Sequence, residues 1–173
     1  MNFNFYKTYS PVKSILLAGI FILSMTAEAY AQSIPSVKLK DLTGSTIDTG
    51  TIKNDGNPIV ICFWATWCSP CKRELNTYMD YYGDWQEETG VKIVAGSIDD
   101  SRSTNRVSPY IMSSGWEFDI LLDPAGDFKR AMQVMNAPHT FLYNGMGELV
   151  WSHNSYSEGD EEELYEELLK LVD

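Results

Sequence analysis

The sequence predicts an α/β fold in three layers: a central mixed β-sheet flanked by helices, with a short strand extension ahead of it. Three observations carry this expectation. Val60-Ile61-Cys62-Phe63-Trp64 is a continuous apolar run of β-branched and aromatic residues, the pattern of a strand buried on both faces. After a break at Cys68-Ser69-Pro70-Cys71, the apolar residues Leu75, Tyr78, Met79, Tyr82 and Trp85 recur at intervals of three and four, one face of a helix. Val91 to Ile98 is then a second buried run, closing a strand–helix–strand unit whose two strands must lie parallel.

The remaining elements follow in chain order. Lys7 and Lys13 precede an uncharged, mostly apolar stretch from Ser14 to Ala27, and Ala29-Tyr30-Ala31 follows it. That is the plan of a secretory signal peptide over residues 1–31, with cleavage after Ala31 and Ala29 as second choice. The stretch falls short of the roughly 18–20 residues that span a bilayer, which makes an uncleaved membrane anchor the lesser alternative. Residues 32–173 form one domain by length. Weak alternation from Val37 to Leu42 and around Thr46-Ile47, with turn residues between, reads as short strands. Asn54-Asp55-Gly56-Asn57-Pro58 is a turn leading into the core strand. Gly90 stops the long helix. A helix is expected over roughly Ser103–Ser114, a short apolar run over Phe118–Leu122 and a short helix over Phe128–Met135. Thr140–Tyr143 and Glu148–Trp151 form a hairpin across Asn144-Gly145-Met146-Gly147. A final helix begins near Glu158, with Leu164, Leu168, Leu169 and Val172 on its inner face.

Charge narrows the function. The chain has 173 residues, 13 basic and 24 acidic, for a net charge of −11. Lys7, Lys13 and Glu28 fall in the leader, so 11 basic and 23 acidic residues remain in the domain. Such an acidic body excludes nucleic acid and anionic membrane surfaces as natural partners.

The chemistry lies at Cys68 and Cys71. Both sit where a core strand turns into a helix, and Pro70 suits the first helical turn because its φ is preset and it has no amide hydrogen to lose. Cys68 at the helix start faces unpaired amides and the positive end of the macrodipole, which favour a thiolate. Cys71, one turn further in, is the resolving thiol. A zinc ribbon needs a second ligand pair, and the chain offers only Cys62, His139 and His153 beyond the pair, so no metal is expected. A c-type haem attachment needs histidine after the second cysteine; Lys72 stands there. A structural staple remains open, although closing so short a loop gains little.

Phe63-Trp64-Ala65-Thr66-Trp67-Cys68-Ser69-Pro70-Cys71 resembles the active-site segment of the thioredoxin superfamily, and more narrowly that of the exported TlpA/ResA-like thiol-disulfide oxidoreductases. Ala137-Pro138-His139-Thr140-Phe141-Leu142 resembles their cis-proline loop and the strand after it. The resemblance implies a thioredoxin-like fold and disulfide exchange with protein thiols and disulfides. It further implies a reductant role fed by a membrane-bound electron donor, and no cofactor beyond the dithiol. It places an acid near the dithiol at Asp100, with Asp99 the alternative if the register shifts by one. Trp67 would wall the site, Pro138 would be cis, and Ala137 and His139 would lie beside the substrate. Cys62 stands where the thioredoxin pattern often has a buried aspartate. It reads as a small buried hydrophobe, with a third redox thiol as the alternative, and the missing acid leaves open how Cys71 is protonated or deprotonated. Lys72, Arg73 and Glu74 read as the charged first turn of the helix. A thiol peroxidase of the related peroxiredoxin group, and a binding module with an incidental dithiol, are the competing functions.

Overall fold

The computed structural model describes Met1 and residues 32–172; the expected signal peptide lies outside the described residues. Strands β1 (Lys38–Asp41) and β2 (Thr46–Asp48) precede β3 (Ile59–Trp64), α1 (Ser69–Thr89) and β4 (Lys92–Ser97). Then come α2 (Val107–Ser114), β5 (Asp119–Leu122), α3 (Asp127–Ala131), β6 (His139–Tyr143), β7 (Leu149–Asn154) and α4 (Asp160–Leu169). Among the described residues the strands form one sheet in the order β2-β1-β5-β4-β3-β6-β7. β3, β4 and β5 run parallel, whereas β6, β7, β1 and β2 add antiparallel partners at the two sides. This is the expected mixed sheet with its N-terminal strand extension.

The alternation of β3 divides the core. Val60, Cys62 and Trp64 face a cluster that includes Leu75 and Tyr78 of α1 and Leu164 and Leu168 of α4. Ile59, Ile61 and Phe63 face the other side, against Phe128 and Met132. Every residue of β3 is buried, which is why its sequence is apolar without a break. Phe63 rests on Phe128 and Phe141 at ring distances of 5.1 and 5.9 Å, and burial of such a side chain contributes about 1.5–3 kcal/mol.

Helix α1 is fixed at both ends. Cys68 caps its start, and Gly90 ends it at φ 67°, donating its N–H to the Gln86 carbonyl. A side chain at Gly90 would need the left-handed backbone, and its Cβ would lie 2.9 Å from Asn57, so glycine is required twice over.

Several boundaries differ from the sequence expectation. The Ser103–Ser114 helix splits into a 3₁₀ turn at Thr104–Arg106 and α2, because Asp100 accepts the backbone N–H groups of Arg102 and Ser103 and holds a tight turn there. The Phe128–Met135 helix is instead α3, Asp127–Ala131, ended where Gln133 adopts φ 56°. β7 runs on to Asn154 because its whole length pairs with β6. Among the described residues, no helix is long and apolar enough to cross a membrane.

Candidate active site

The carboxyl ends of β3, β4 and β5 share one edge of the sheet, and the loops leaving them build the site. The loop after β3 ends at Cys68, which forms a disulfide with Cys71 across a Cα separation of 5.3 Å. Cys68 Sγ accepts the Cys71 backbone N–H at 3.3 Å, so the sulfur stands where the helix presents its free amides. Cys71 is fully buried and Cys68 is 5% exposed. Approach is therefore from the Cys68 side.

The Ala137-Pro138 peptide is cis, and the Ala137 carbonyl oxygen lies 3.8 Å from Cys68 Sγ. Pro138 is buried and Ala137 half-buried. Trp67 is 62% exposed beside the dithiol, whereas Trp64 is buried beneath, against Tyr110 and Trp116.

The acids expected near the dithiol are arranged differently from the sequence reading. Asp100 is partly exposed and accepts Arg102 Nε and Nη2 at 2.9 and 2.6 Å. Those bonds hold its carboxyl well below the usual carboxylate range, at about 2. Its neighbour Asp99 turns inward. Asp99 accepts the Thr66 backbone N–H at 2.8 Å, the Thr66 hydroxyl at 2.5 Å and the Ser97 hydroxyl at 2.9 Å, and so ties the loop that carries Cys68 to the end of β4.

His139 begins β6 on the face away from α1. It stacks on Phe141 at 4.2 Å and pairs with the Asn154 side chain at 3.3 Å. Burial lowers its basicity, with the nearby His153 adding to the effect. Thr140, one residue on, points to the opposite face, where the dithiol helix packs.

Glu74 is the residue that sequence reasoning misplaced. Its position in the first turn of α1, between Arg73 and Leu75, suggests a solvated charge, yet it is 1% exposed. The β3–β6 register sets Cys62 directly beside Thr140, and α1 lays Glu74 over both. The Thr140 hydroxyl donates to Glu74 Oε1 at 2.8 Å, and the Tyr78 hydroxyl donates to the same oxygen at 3.2 Å. Glu74 Oε2 has no partner among the described residues. Burial pushes the carboxyl up to about 8, against the two hydrogen bonds that favour ionisation. The available signal was the spacing itself: Cys71 and Glu74 lie three apart, on one side of a helix.

Cys62 is a free, fully buried thiol 3.5 Å from the Thr140 hydroxyl. Thr140 has one proton, and the shorter bond to Glu74 takes it. The 3.5 Å approach of the Thr140 hydroxyl to Cys62 Sγ is then the weaker of its two contacts. Burial first, and Glu74 second, push the Cys62 thiol well above its ordinary range. Cys62→Ala should therefore preserve disulfide exchange while lowering stability by on the order of 1 kcal/mol for the lost buried atom. Loss of exchange in a variant with a native circular dichroism spectrum would instead give Cys62 a direct redox part.

Similarity to known proteins agrees with this geometry. The AhpC/TSA family model matches residues 30–152. The chain is 31% identical over 140 residues to sporulation thiol-disulfide oxidoreductase A of Bacillus subtilis, covering 78% of this chain and 82% of that protein. It is 28% identical over 172 residues to thiol-disulfide oxidoreductase ResA of Halalkalibacterium halodurans, covering 99% and 86% of the two chains. Among solved structures, a thioredoxin-like protein from Porphyromonas gingivalis superposes with a TM-score of 0.73 at 45% identity, over 83% of this chain and 93% of that one. Conserved in fold alone is a thiol:disulfide interchange protein DsbE from Chlorobium tepidum, at a TM-score of 0.72 and 24% identity, over 83% and 97%. With a dithiol at the start of a helix, a cis-proline loop against its outer sulfur and relatives of this kind, the chain belongs to the AhpC/TSA family as a thioredoxin-like thiol-disulfide oxidoreductase.

Proposed function

We propose that the chain is an exported reductant of protein disulfides, with Cys68 as nucleophile and Cys71 as resolving thiol. The observation that carries this reading is the asymmetry of the pair: Cys68 sits at the helix start beside the accessible rim, and Cys71 is sealed behind it. In the reduced enzyme the Cys68 thiolate attacks one sulfur of a substrate disulfide, and the other substrate sulfur leaves as a thiolate that takes a proton from water. Cys71 then gives up its proton and attacks Cys68 Sγ. The second substrate thiolate leaves, and two electrons have passed to the substrate, leaving the Cys68–Cys71 disulfide.

Glu74 takes the part of the acid that Cys62 cannot fill. It lies one helical turn from Cys71, out of water, and a carboxyl near 8 is matched to a thiol. Its ionised form accepts the Cys71 proton through the unpartnered Oε2, and its protonated form returns one when the enzyme is reduced again. Thr140 and Tyr78 position it. Ala137 offers its carbonyl to an extended substrate strand, Pro138 shapes the loop, Trp67 walls the opening, and Asp100 and His139 serve as outer supports of the groove.

The basic and apolar N-terminus followed by Ala29-Tyr30-Ala31 supports export to an extracytoplasmic compartment such as the periplasm, where a membrane-bound donor would re-reduce the dithiol. The test is insulin-disulfide reduction by the mature chain with dithiothreitol as donor, alongside the equilibrium potential of the dithiol against glutathione. We expect catalysed insulin reduction and a potential near the roughly −270 mV of thioredoxin. Peroxide consumption without insulin reduction would overturn the reading, and a potential near about −120 mV would reverse the direction of electron flow.

A further inference from the structure

The chain is strongly acidic, yet the rim on one side of its dithiol is basic. Of the 11 basic residues outside the leader, Lys72 and Arg73 lie near the start of α1, Arg102 and Arg106 between β4 and α2, and Lys129 and Arg130 in the last turn of α3. Two grooves meet at the exposed Trp67. One runs past Ile98 to Arg102 and Arg106. The other runs past Ile98 to Lys129, Arg130 and Met135. Trp67, Ile98, Val134 and Met135 give these grooves an apolar part, with Met135 80% exposed.

Four acids share this side and offset part of its charge. Asp99 is buried and bonded to Thr66 and Ser97. Asp123 is buried and accepts the Lys129 backbone N–H at 2.8 Å through Oδ2, while its Oδ1 has no partner among the described residues. Asp100 pairs with Arg102, and Asp127 pairs with Arg130. Among the described residues, Lys72, Arg73, Arg106 and Lys129 have no carboxylate partner. Lys72 stands 5.5 Å from the centre of the Tyr110 ring, a contact that leaves its charge uncompensated. A second group of acids, Asp160, Glu161, Glu162 and Glu163, opens α4 after β7. Six cations against four acids leave the Trp67 side net positive, whereas the start of α4 is strongly negative.

Resting on the oxidoreductase reading above, we propose that the Trp67 grooves select protein substrates whose disulfide cysteine is flanked on one side by acidic residues. The apolar lining and the exposed indole suit an amphipathic polypeptide strand carrying one or two carboxylates. Unpaired guanidinium and ammonium groups at the rim supply the partners for those carboxylates. A cationic flank on that side would meet like charge, and an acidic flank on the α4 side would meet the Asp160–Glu163 cluster. Against the repulsive field of the whole acidic protein, the basic rim also gives an acidic partner an attractive approach, which acts mainly on the association rate.

The test uses disulfide-bonded peptides with two Glu, two Lys or two Gln placed N-terminal or C-terminal to the cysteine. For one of the two placements, the Glu peptide should exceed the Lys peptide by about 3- to 10-fold in kcat/KM at low salt, as expected for two exposed charge pairs. The ratio should fall toward one in about 0.5 M salt, where the screening length is only a few ångströms. It should also collapse in Arg106→Gln/Lys129→Gln. The salt series on the unaltered protein reads the same quantity without any substitution. Equal rates for Glu and Lys peptides in both placements, or a preference that survives both salt and the double variant, would overturn the proposal. Failure to reduce the Gln peptides would instead count against the oxidoreductase reading on which it rests.

Discussion

Replacing Glu74 with Gln should remove a fall in stability that the native protein suffers between about pH 4.5 and pH 8. Glu74 has an ordinary carboxyl in the unfolded chain, near 4.5, and one pushed up to about 8 by burial in the folded chain. Within that window the folded state holds a proton that the unfolded state has released. Stability therefore declines with rising pH, by about 1.4 kcal/mol per unit, and the cumulative loss approaches on the order of 4 kcal/mol by pH 8. The direction is opposite to that of a salt-bridged carboxylate. Glutamine keeps an oxygen to accept from Thr140 and Tyr78 and carries no charge at any pH. Urea unfolding of the disulfide forms at a series of pH values should give a flatter profile for Glu74→Gln and greater stability than the native chain at pH 8. Parallel profiles would show that the buried carboxyl does not titrate in this range. The same variant should lose the titration near pH 8 from the rate of disulfide resolution, which a purely structural role for Glu74 would leave in place.

Cys71→Ser should convert the enzyme into a trap. Cys68 keeps its place at the helix start and still attacks a substrate disulfide, while the serine hydroxyl cannot displace the partner. Turnover should fall to background, and mixed disulfides through Cys68 should accumulate on non-reducing gels. Peptide mapping of the adducts checks the attachment point. Adducts on Cys62 would contradict its burial, and selective alkylation of Cys71 before Cys68 in the reduced protein at mildly acidic pH would reverse the two roles. Cys68→Ser gives the complementary result, with neither turnover nor adducts.

Much of this site is local chemistry and was legible as such. The strand-to-helix break around Cys68-Ser69-Pro70-Cys71 places a thiol at a helix start through neighbours within a few residues, and the unbroken apolar run of β3 announces burial on both faces. The cis Ala137-Pro138 loop was instead expected from the resemblance of its segment to the thioredoxin pattern. Boundaries moved where a side chain captured the backbone, as Asp100 did ahead of α2.

The proton chemistry, by contrast, depends on residues far apart in sequence. Glu74 reads as a surface charge because its neighbours are polar, and only the packing of α1 over the Cys62–Thr140 pair takes it out of water. Asp99 and Asp100 differ by one position, and the end of β4 decides which of them bonds Thr66 and which faces Arg102. His139 and Thr140 likewise exchange roles through the twofold alternation of β6, which turns one toward Phe141 and the other toward Glu74. The sequence alone thus determined the redox pair, the class of fold and the acidic character of the chain, since each rests on residue types and short spacings. Tertiary structure decided which acid is buried one helical turn beyond Cys71 and where the few cations collect, because both depend on strand register and on helix packing across roughly 30 to 80 residues of chain.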